Sequence, residues 1–283
     1  MIIDVHTHIF PKDICARREN YFDGEAPFQL LYDSPKSRLI TAEDLVRSMD
    51  ENGVDKSVTF GFPWKKDSFY QKNNDEIIES VNKFPDRLIG LCCVDMYSPG
   101  ASKEVERCLN AGLSGVGELA FYQSGIEPDA LKLLEPVMAL CRERNLPVMI
   151  HTNEPVGHQY PGKTPNTLSQ IYELAKTFPD NIIILAHWGG GIFFYTLLKK
   201  EVKDVLKNIY YDTAASPFLY TPEIYQAAKK MAGIEKILMG TDYPLLPPER
   251  YFRELEAAGM SSSEKEQICG GNAAQVFGLI KKI

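Results

Sequence analysis

The chain has 283 residues and carries 31 basic against 38 acidic side chains, which gives a net charge of −7 at pH 7. Hydrophobic residues make up 44% and charged residues 24%, as in ordinary globular proteins, so fibrous and disordered classes are excluded. An acidic chain without a basic run binds a phosphate backbone poorly, and we expect no nucleic-acid partner. No apolar stretch reaches the ~18 residues of a membrane span and no secretion signal is present, so we expect a cytoplasmic protein without membrane contact.

Short apolar segments alternate with helical segments along the whole chain. Several are continuous apolar runs, which is typical of strands buried on both faces of a parallel sheet. Since no hairpin signal separates them, the pattern predicts an α/β fold, a closed (β/α)8 barrel. A doubly wound open sheet is the alternative, but the Gly-rich turn expected after its first strand is missing. The predicted strands span residues 2–5, 54–60, 88–94, 115–120, 148–151, 182–186, 209–211 and 236–239.

The helix after the first predicted strand has clear ends. Thr41 and Asp44 have the spacing of a capping box, and Gly53 is suited to end the helix. A second helix is predicted over residues 129–145, where Pro136 either kinks the helix or delays its start.

Residues 10–40, rich in Phe, Tyr, Pro and Arg, form an insertion between the first two predicted strands. Loops that follow barrel strands lie at the C-terminal mouth, where active sites occur. We therefore expect the insertion to shape a pocket or an oligomer contact, in a possible homodimer. No linker composition interrupts the rest of the chain, so residues 1–283 are predicted to form one domain.

Histidines are concentrated at the ends of predicted strands. His6 and His8 end the first strand, His151 the fifth and His187 the sixth, while Asp242 follows the eighth. Residues two apart on a strand share a face, so His6 and His8 point the same way. In a barrel these side chains can converge at one mouth. Imidazole with carboxylate suits Zn²⁺, Mn²⁺ or Fe²⁺, and the pattern predicts a divalent metal site.

Four segments around these residues resemble the signature of the amidohydrolase superfamily, and most closely its amidohydrolase-related branch, which includes aminocarboxymuconate semialdehyde decarboxylase. They are residues 3–8, 149–152, 185–190 and 239–244. The resemblance spans nearly the whole chain. It implies a metal-dependent barrel enzyme in which His6, His8, His151 and Asp242 bind the metal. It also implies that His187 acts as an acid or base, or binds a second metal.

Two further carboxylates lie on predicted strands. Glu118 ends the fourth strand in a Gly-Glu pair similar to that of the TatD-like deoxyribonuclease branch. A carboxylate there can bridge two metals ~3.5–4 Å apart, and we expect Glu118 to be a ligand. The alternative is that Glu118 accepts a hydrogen bond that fixes the tautomer of a histidine. Asp4 shares the face of His6 and either supports the site from behind or is a buried structural residue.

These residues favour hydrolysis, with Zn²⁺ as the expected cofactor, as one or two ions. A divalent ion lowers the pKa of its bound water to ~7, Asp242 takes and returns the proton, and His187 polarises the bond under attack. We expect cleavage of an amide, ester or lactone bond in a small, carboxylated substrate. A metal-dependent non-oxidative decarboxylase of an unsaturated or aromatic acid is the alternative. A weaker alternative is a catalytically inactive barrel that acts as a binding protein.

Polar and aromatic residues just beyond the strands are expected to contact the substrate. His158 lies in a loop, where a solvated histidine is the alternative. Arginines are suited to bind a substrate carboxylate, although surface exposure is their commoner fate. The expected substrate contacts are His158, Tyr122, Trp188 and Tyr243, and the candidate arginines are Arg17, Arg18 and Arg250.

Overall fold

Parallel strands form the centre of the molecule, as the apolar runs predict. The computed structural model describes residues 1–280, so the last three residues of the predicted domain lie outside the described part. Within it, all strand pairs are parallel. The strands are β1 Ile3–His8, β2 Lys56–Phe60, β3 Leu88–Gly90, β4 Val116–Leu119, β5 Val148–Ile150, β6 Ile183–Leu185, β7 Ile209–Asp212 and β8 Ile237–Leu238.

Short backbone contacts close these strands into a barrel. The strands form one run from β1 to β3 and another from β4 to β8. Cys92 pairs with Val116 at the first seam, and Thr7 pairs with Tyr243 at the second. The amide of Val5 also donates to the carbonyl of Met239 at 2.8 Å. The predicted (β/α)8 barrel is confirmed.

Helices and short turns separate the strands along the chain. Tighter 3-10 turns cover Arg18–Tyr21 and Ile234–Lys236, and a π-helical turn covers Gln267–Gly271. The segment His187–Leu197 also has 3-10 turns, but its residues 188–191 are left-handed. No helix within residues 1–280 is long and apolar enough to cross a bilayer. The helices are α1 Lys12–Ala16, α2 Ala26–Tyr32, α3 Ala42–Asn52, α4 Asp67–Lys83, α5 Ala101–Asn110, α6 Pro128–Arg144, α7 Leu168–Thr177, α8 Lys200–Val205, α9 Ser216–Leu219, α10 Ile224–Met231, α11 Pro248–Ala257, α12 Ser262–Glu266 and α13 Asn272–Val276.

Both faces of the strands are buried. Met149 and Ile184 pack in a smaller cluster of strand residues, whereas their neighbours Ile150 and Leu185 belong to the larger cluster that includes the helices. This alternation follows from the two-residue period of a strand. It explains why the strands read as continuous apolar runs rather than as alternating patterns.

The predicted helix ends are found. The Thr41 hydroxyl accepts from the amide of Asp44, whose carboxylate accepts from the Thr41 amide, and Gly53 ends α3 in a left-handed conformation with φ 67°. Pro136 lies inside α6, so it does not delay the start of that helix.

The insertion packs against the loop that follows β2. The buried carboxylate of Glu25 accepts hydrogen bonds of 2.8–3.1 Å from the backbone amides of Lys65 and Lys66. The ring of Phe28 lies 4.2 Å from that of Trp64, in a layer of aromatic residues between the insertion and the barrel. The insertion is therefore packed against the barrel at its mouth.

Candidate metal centre

All six predicted ligand residues come together at one end of the barrel. Three overlapping groups each have ligand atoms that lie within 4.8 Å of one another. Glu118 and His187 each belong to two of them, as does His6. The groups are His6 with His8 and Glu118, His6 with His187 and Asp242, and Glu118 with His151 and His187.

A buried carboxylate that the sequence did not single out holds His6. Asp212 ends β7, and its Oδ2 lies 2.9 Å from Nδ1 of His6, with both side chains fully buried. The other carboxylate oxygen of Asp212 accepts the backbone amides of His187 and Ala214. Asp212 thus sets the tautomer and orientation of the His6 ring, which leaves Nε2 to face the other ligands.

Glu118 holds His151 in the same manner. Oε1 of Glu118 lies 2.9 Å from Nδ1 of His151. The same carboxylate lies 3.5 Å from Nε2 of His187 and 3.6 Å from Nε2 of His6. Its closest contact therefore fits the alternative in which Glu118 orients a histidine, and its wider contacts also leave it within reach of an ion.

His8 and Asp242 close the cluster on the side nearer to solvent. Nε2 of His8 lies 3.3 Å from Oδ1 of Asp242, and Nδ1 of His8 contacts the carbonyl of Gly61 at 3.1 Å. Asp242 has a left-handed backbone with φ 59°. Such conformations are costly for a residue with a side chain and cluster at functional sites.

The His187 ring is fixed from behind by a backbone carbonyl. Its Nδ1 lies 2.9 Å from the carbonyl oxygen of Ala214, so Nε2 faces the cluster. His187 also has a left-handed backbone, with φ 55°. Backbone strain is thus present at two of the converging residues, His187 and Asp242.

Charge in this buried pocket is unbalanced. Glu118, Asp212 and Asp242 contribute three carboxylates to this pocket. Burial alone would lower the pKa of His6, but these three carboxylates raise it to about 10. Burial also opposes a charged His187, yet Glu118 and Asp242 raise its pKa to about 9. The pocket therefore requires positive charge, either from protons or from a cation.

The donor atoms fit a divalent cation. Within residues 1–280, Nε2 of His6 and Nε2 of His151 are buried without a hydrogen-bond partner. A buried polar atom without a partner costs free energy, and a metal ion is a partner for both nitrogens. Imidazole nitrogens combined with carboxylate oxygens are the ligand set of Zn²⁺, Mn²⁺ and Fe²⁺ sites.

Asp4 lies behind the ligands rather than among them. Its carboxylate accepts from the hydroxyl and amide of Thr241 at 2.5 and 3.0 Å, and from the His6 amide at 3.2 Å. Burial raises the pKa of Asp4 to about 7. These bonds join β1 to the segment that carries Asp242, which agrees with both roles expected for Asp4.

The expected substrate contacts are not all in the pocket. Tyr122 lies with its ring 6.2 Å from that of His151, and the Tyr243 carbonyl accepts from the amide of His8. Trp188 is fully buried and donates its indole N–H to Ser216 at 3.0 Å. Trp188 therefore lies in the core, and its contact with substrate stays a prediction.

His158 is exposed on the loop after β5, where its ring lies 6.1 Å from that of Tyr160. It does not join the ligand cluster, and its substrate contact stays a prediction.

The three candidate arginines do not join the ligand cluster. Arg18 donates to backbone carbonyls of the insertion, including that of Tyr32 at 3.3 Å. Arg17 and Arg250 are exposed, and the Arg250 guanidinium lies over the ring of Phe218. Arg38, which the sequence did not single out, instead lies 5.6 Å from the Tyr243 ring, beside a cavity of about 380 Å³.

Comparison with known proteins agrees with this site. The family model described as Amidohydrolase matches residues 3–279. The chain belongs to the amidohydrolase family. This confirms the resemblance that the strand-end histidines and Asp242 indicate, and the observed barrel is the fold of that superfamily.

Two curated proteins similar to this chain are decarboxylases. A 2-amino-3-carboxymuconate-6-semialdehyde decarboxylase from Dictyostelium discoideum is 26% identical, over 98% of this chain and 91% of the relative. A gamma-resorcylate decarboxylase from Polaromonas sp. is 23% identical, over 86% of this chain and 90% of the relative. The solved structure of a 5-carboxyvanillate decarboxylase from Novosphingobium aromaticivorans, with bound manganese, superposes with a TM-score of 0.76 at 17% identity, over 98% of this chain and 97% of that chain. At that identity the superposition shows the shared fold alone.

Proposed function

We propose that this amidohydrolase-family enzyme is a metal-dependent, non-oxidative decarboxylase of an aromatic or unsaturated acid. The observation that carries the proposal is the 2.9 Å contact between Glu118 and Nδ1 of His151, which leaves Nε2 of that ring open. In this arrangement Glu118 orients a ligand instead of bridging two ions. A site with one ion is suited to decarboxylation, the reaction that the sequence analysis gives as the alternative to hydrolysis. The decarboxylase activities of relatives that cover nearly the whole chain also support it.

The residues suited to hold the ion are His6, His8, His151 and Asp242. When bound, a divalent ion would supply a fixed positive charge that attracts the carboxylate of the substrate and polarises an oxygen atom of the substrate next to it. Manganese in the similar 5-carboxyvanillate decarboxylase structure makes Mn²⁺ the first ion to test, ahead of the Zn²⁺ expected from the sequence.

Asp242 is the proton carrier that the geometry favours. Its side chain is 20% exposed, against 9% for Glu118 and 0% for Asp212, so it alone of the three can readily exchange a proton with solvent. In the reaction the bond between the carboxyl carbon and the adjacent carbon breaks. The electron pair stays on the adjacent carbon, which takes a proton that Asp242 has first received from solvent; CO₂ leaves, and Asp242 is again ionised.

An aromatic wall beside the histidines suits a flat substrate. The rings of Phe62 and Tyr122 stack with centroids 6.2 Å apart and planes 19° apart. Tyr122 in turn lies next to His151. Offset-stacked aromatic pairs are favourable, so an aromatic acid bound at the ion would extend this stack.

Hydrolysis remains a second candidate, because Glu118 also contacts the Nε2 atoms of His6 and His187. A second ion bridged by Glu118 would supply the two-metal chemistry of a hydrolase. Two ions bridged by Glu118 would favour hydrolysis, whereas a single ion is compatible with either reaction, so the measurement of CO₂ separates the two candidates.

The test is to incubate the Mn²⁺-loaded enzyme with carboxylic acids and measure CO₂. Suitable acids are 2,6-dihydroxybenzoate, 5-carboxyvanillate and 2-amino-3-carboxymuconate semialdehyde, with aryl esters and lactones as hydrolase substrates. The proposal predicts CO₂ release from at least one acid, lost in Asp242→Asn. Ester or lactone cleavage without CO₂ release from any acid would overturn it.

A further inference from the structure

A buried tyrosine on an outer helix connects two of the loops at the barrel mouth. Tyr251 lies in α11, and its side chain is fully buried. Its hydroxyl accepts a hydrogen bond from the backbone amide of Ala215 at 2.9 Å and donates one to the backbone carbonyl of Thr241 at 2.7 Å. Ala215 lies in the segment after β7 and Thr241 in the segment after β8. A single hydroxyl therefore joins these two segments, although the sequence did not single it out.

The bond to Thr241 fixes the peptide group that precedes Asp242. Because a peptide bond is planar, the carbonyl of Thr241 and the amide of Asp242 move as one unit. Asp4 holds the same residue from the other side, through the amide and the hydroxyl of Thr241. The backbone of Asp242 is left-handed, with φ 59°, a conformation that persists only where the surroundings impose it. The Tyr251 hydroxyl is therefore part of what directs the Asp242 side chain towards the cluster.

The bond from Ala215 fixes the peptide group that orients His187. The carbonyl of Ala214 and the amide of Ala215 belong to one planar unit. This carbonyl lies 2.9 Å from Nδ1 of His187, while the amide of the same unit donates to Tyr251. Ala215 is also left-handed, with φ 56°. The Tyr251 hydroxyl thus restrains the acceptor that sets the direction of the His187 ring.

These bonds form one chain in which every donor points the same way. A carbonyl only accepts, so Nδ1 of His187 carries a proton and donates to Ala214. The amide of Ala215 then donates to Tyr251, whose hydroxyl donates to Thr241. Hydrogen bonds arranged in series polarise and strengthen one another in a buried setting. Removal of the hydroxyl would leave a buried amide and a buried carbonyl without a partner.

We propose that Tyr251 is a positioning residue whose hydroxyl holds Asp242 and His187 in fixed positions relative to each other. It acts through two peptide groups, from outside the ligand cluster. The inference rests on the proposed function, because it takes Asp242 as a metal ligand and as the proton carrier. Metal affinity tests it without regard to the reaction, so its failure is distinguishable from a failure of the decarboxylase proposal.

The experiment measures the Mn²⁺ affinity of the full-length protein by competition with a chromophoric chelator, in a double-mutant cycle. Tyr251→Phe keeps the ring and should weaken Mn²⁺ binding about 10-fold, because it loosens a residue that holds the ion. In an Asp242→Ala background the same change should have little effect, because the side chain that the hydroxyl positions is absent. A merely structural loss would weaken Mn²⁺ binding equally in both backgrounds.

Tyr70→Phe is the matched control. Tyr70 is also fully buried in a barrel helix, α4, and its hydroxyl contacts Ser98 at 3.3 Å. This variant should bind Mn²⁺ as tightly as the unmodified protein. In the presence of saturating Mn²⁺, Tyr251→Phe should lower kcat for CO₂ release about 10-fold and leave KM unchanged, whereas Tyr70→Phe should change neither.

A measurement on the unmodified protein does not depend on the folding of any variant. Hydrogen exchange at the Ala215 amide requires that its bond to Tyr251 opens. Bound Mn²⁺ holds Asp242 and, through Thr241, the Tyr251 hydroxyl. Free Mn²⁺ at about 10 times the dissociation constant should therefore slow this exchange about 10-fold.

Three results would overturn the inference. They are unchanged Mn²⁺ affinity in Tyr251→Phe, equal weakening in both backgrounds of the cycle, and exchange at the Ala215 amide that does not respond to Mn²⁺. A loss of affinity that depends on Asp242, in a protein that releases CO₂ from no acid, would support Tyr251 and count against the decarboxylase alone.

Discussion

Asp212 positions His6 and His187 through a single buried carboxylate. One oxygen lies 2.9 Å from Nδ1 of the His6 ring, and the other accepts the backbone amide of His187 at the same distance. The carboxylate thus fixes the ring of His6, a proposed ligand, and the main chain of His187 beside it. Residues that orient metal ligands in this manner contribute strongly to metal affinity.

Asp212→Asn is expected to weaken metal binding by about 10- to 100-fold, because an amide is a weaker acceptor than a carboxylate for the His6 ring and for the amides of His187 and Ala214. Competition with a chromophoric chelator measures this affinity. Glu104→Gln is the control, since Glu104 is a buried carboxylate that binds Asn74 and Arg107 away from the cluster. Equal affinities of the Asp212→Asn, Glu104→Gln and unmodified proteins would contradict the role of Asp212.

His151→Asn is expected to remove most of the bound metal while the fold survives, because the variant lacks the open Nε2 atom. His158→Asn is the matched control on an exposed loop and should keep full metal content. Elemental analysis and far-UV circular dichroism check the two variants. Full metal content in His151→Asn would show that this ring is not a ligand.

Asp242→Asn is expected to abolish turnover and to keep part of the metal, because the histidines remain while the proton carrier is lost. Loss of one acid–base group typically costs about 10²- to 10⁴-fold in rate. Steady-state CO₂ release, normalised to metal content, measures this loss. An active Asp242→Asn enzyme would assign proton transfer to another group.

Metal affinity is expected to rise with pH. The pKa of His6 is raised to about 10 and that of His187 to about 9, so both rings hold a proton at neutral pH in the metal-free protein. An ion has to displace these protons, and raising the pH removes that cost. The dissociation constant should fall by about 10- to 100-fold for each pH unit between about 6 and about 8. Calorimetry in buffers of different ionisation enthalpy measures the released protons, and binding without proton release would exclude this coupling.

Much of the fold could be predicted because strands buried on both faces are continuous apolar runs. The ends of the strands differ from the predicted ones. The third strand was predicted over residues 88–94, but β3 pairs regularly only over Leu88–Gly90. Beyond it, Cys92 meets the neighbouring strand through a single bridge. Such local pairing depends on barrel closure, which sequence periodicity does not contain.

The convergence of the six predicted ligands followed from their places at strand ends, although their roles stay predictions. Asp212 was missed because one acid at the end of an apolar strand carries no local signal, and its role depends on a histidine 206 positions away in the chain. The core position of Trp188 has a backbone origin. Residues 188–191 are all left-handed, and the turn directs the indole into the core.

Elemental analysis of the manganese-loaded protein, together with an anomalous-difference map, measures how many ions the cluster holds and which atoms hold them. We expect one ion per chain in contact with Nε2 of His6 and Nε2 of His151, with Glu118 bonded to Nδ1 of the latter ring. An ion bound elsewhere, or no ion while both nitrogens face the cluster, would contradict this expectation.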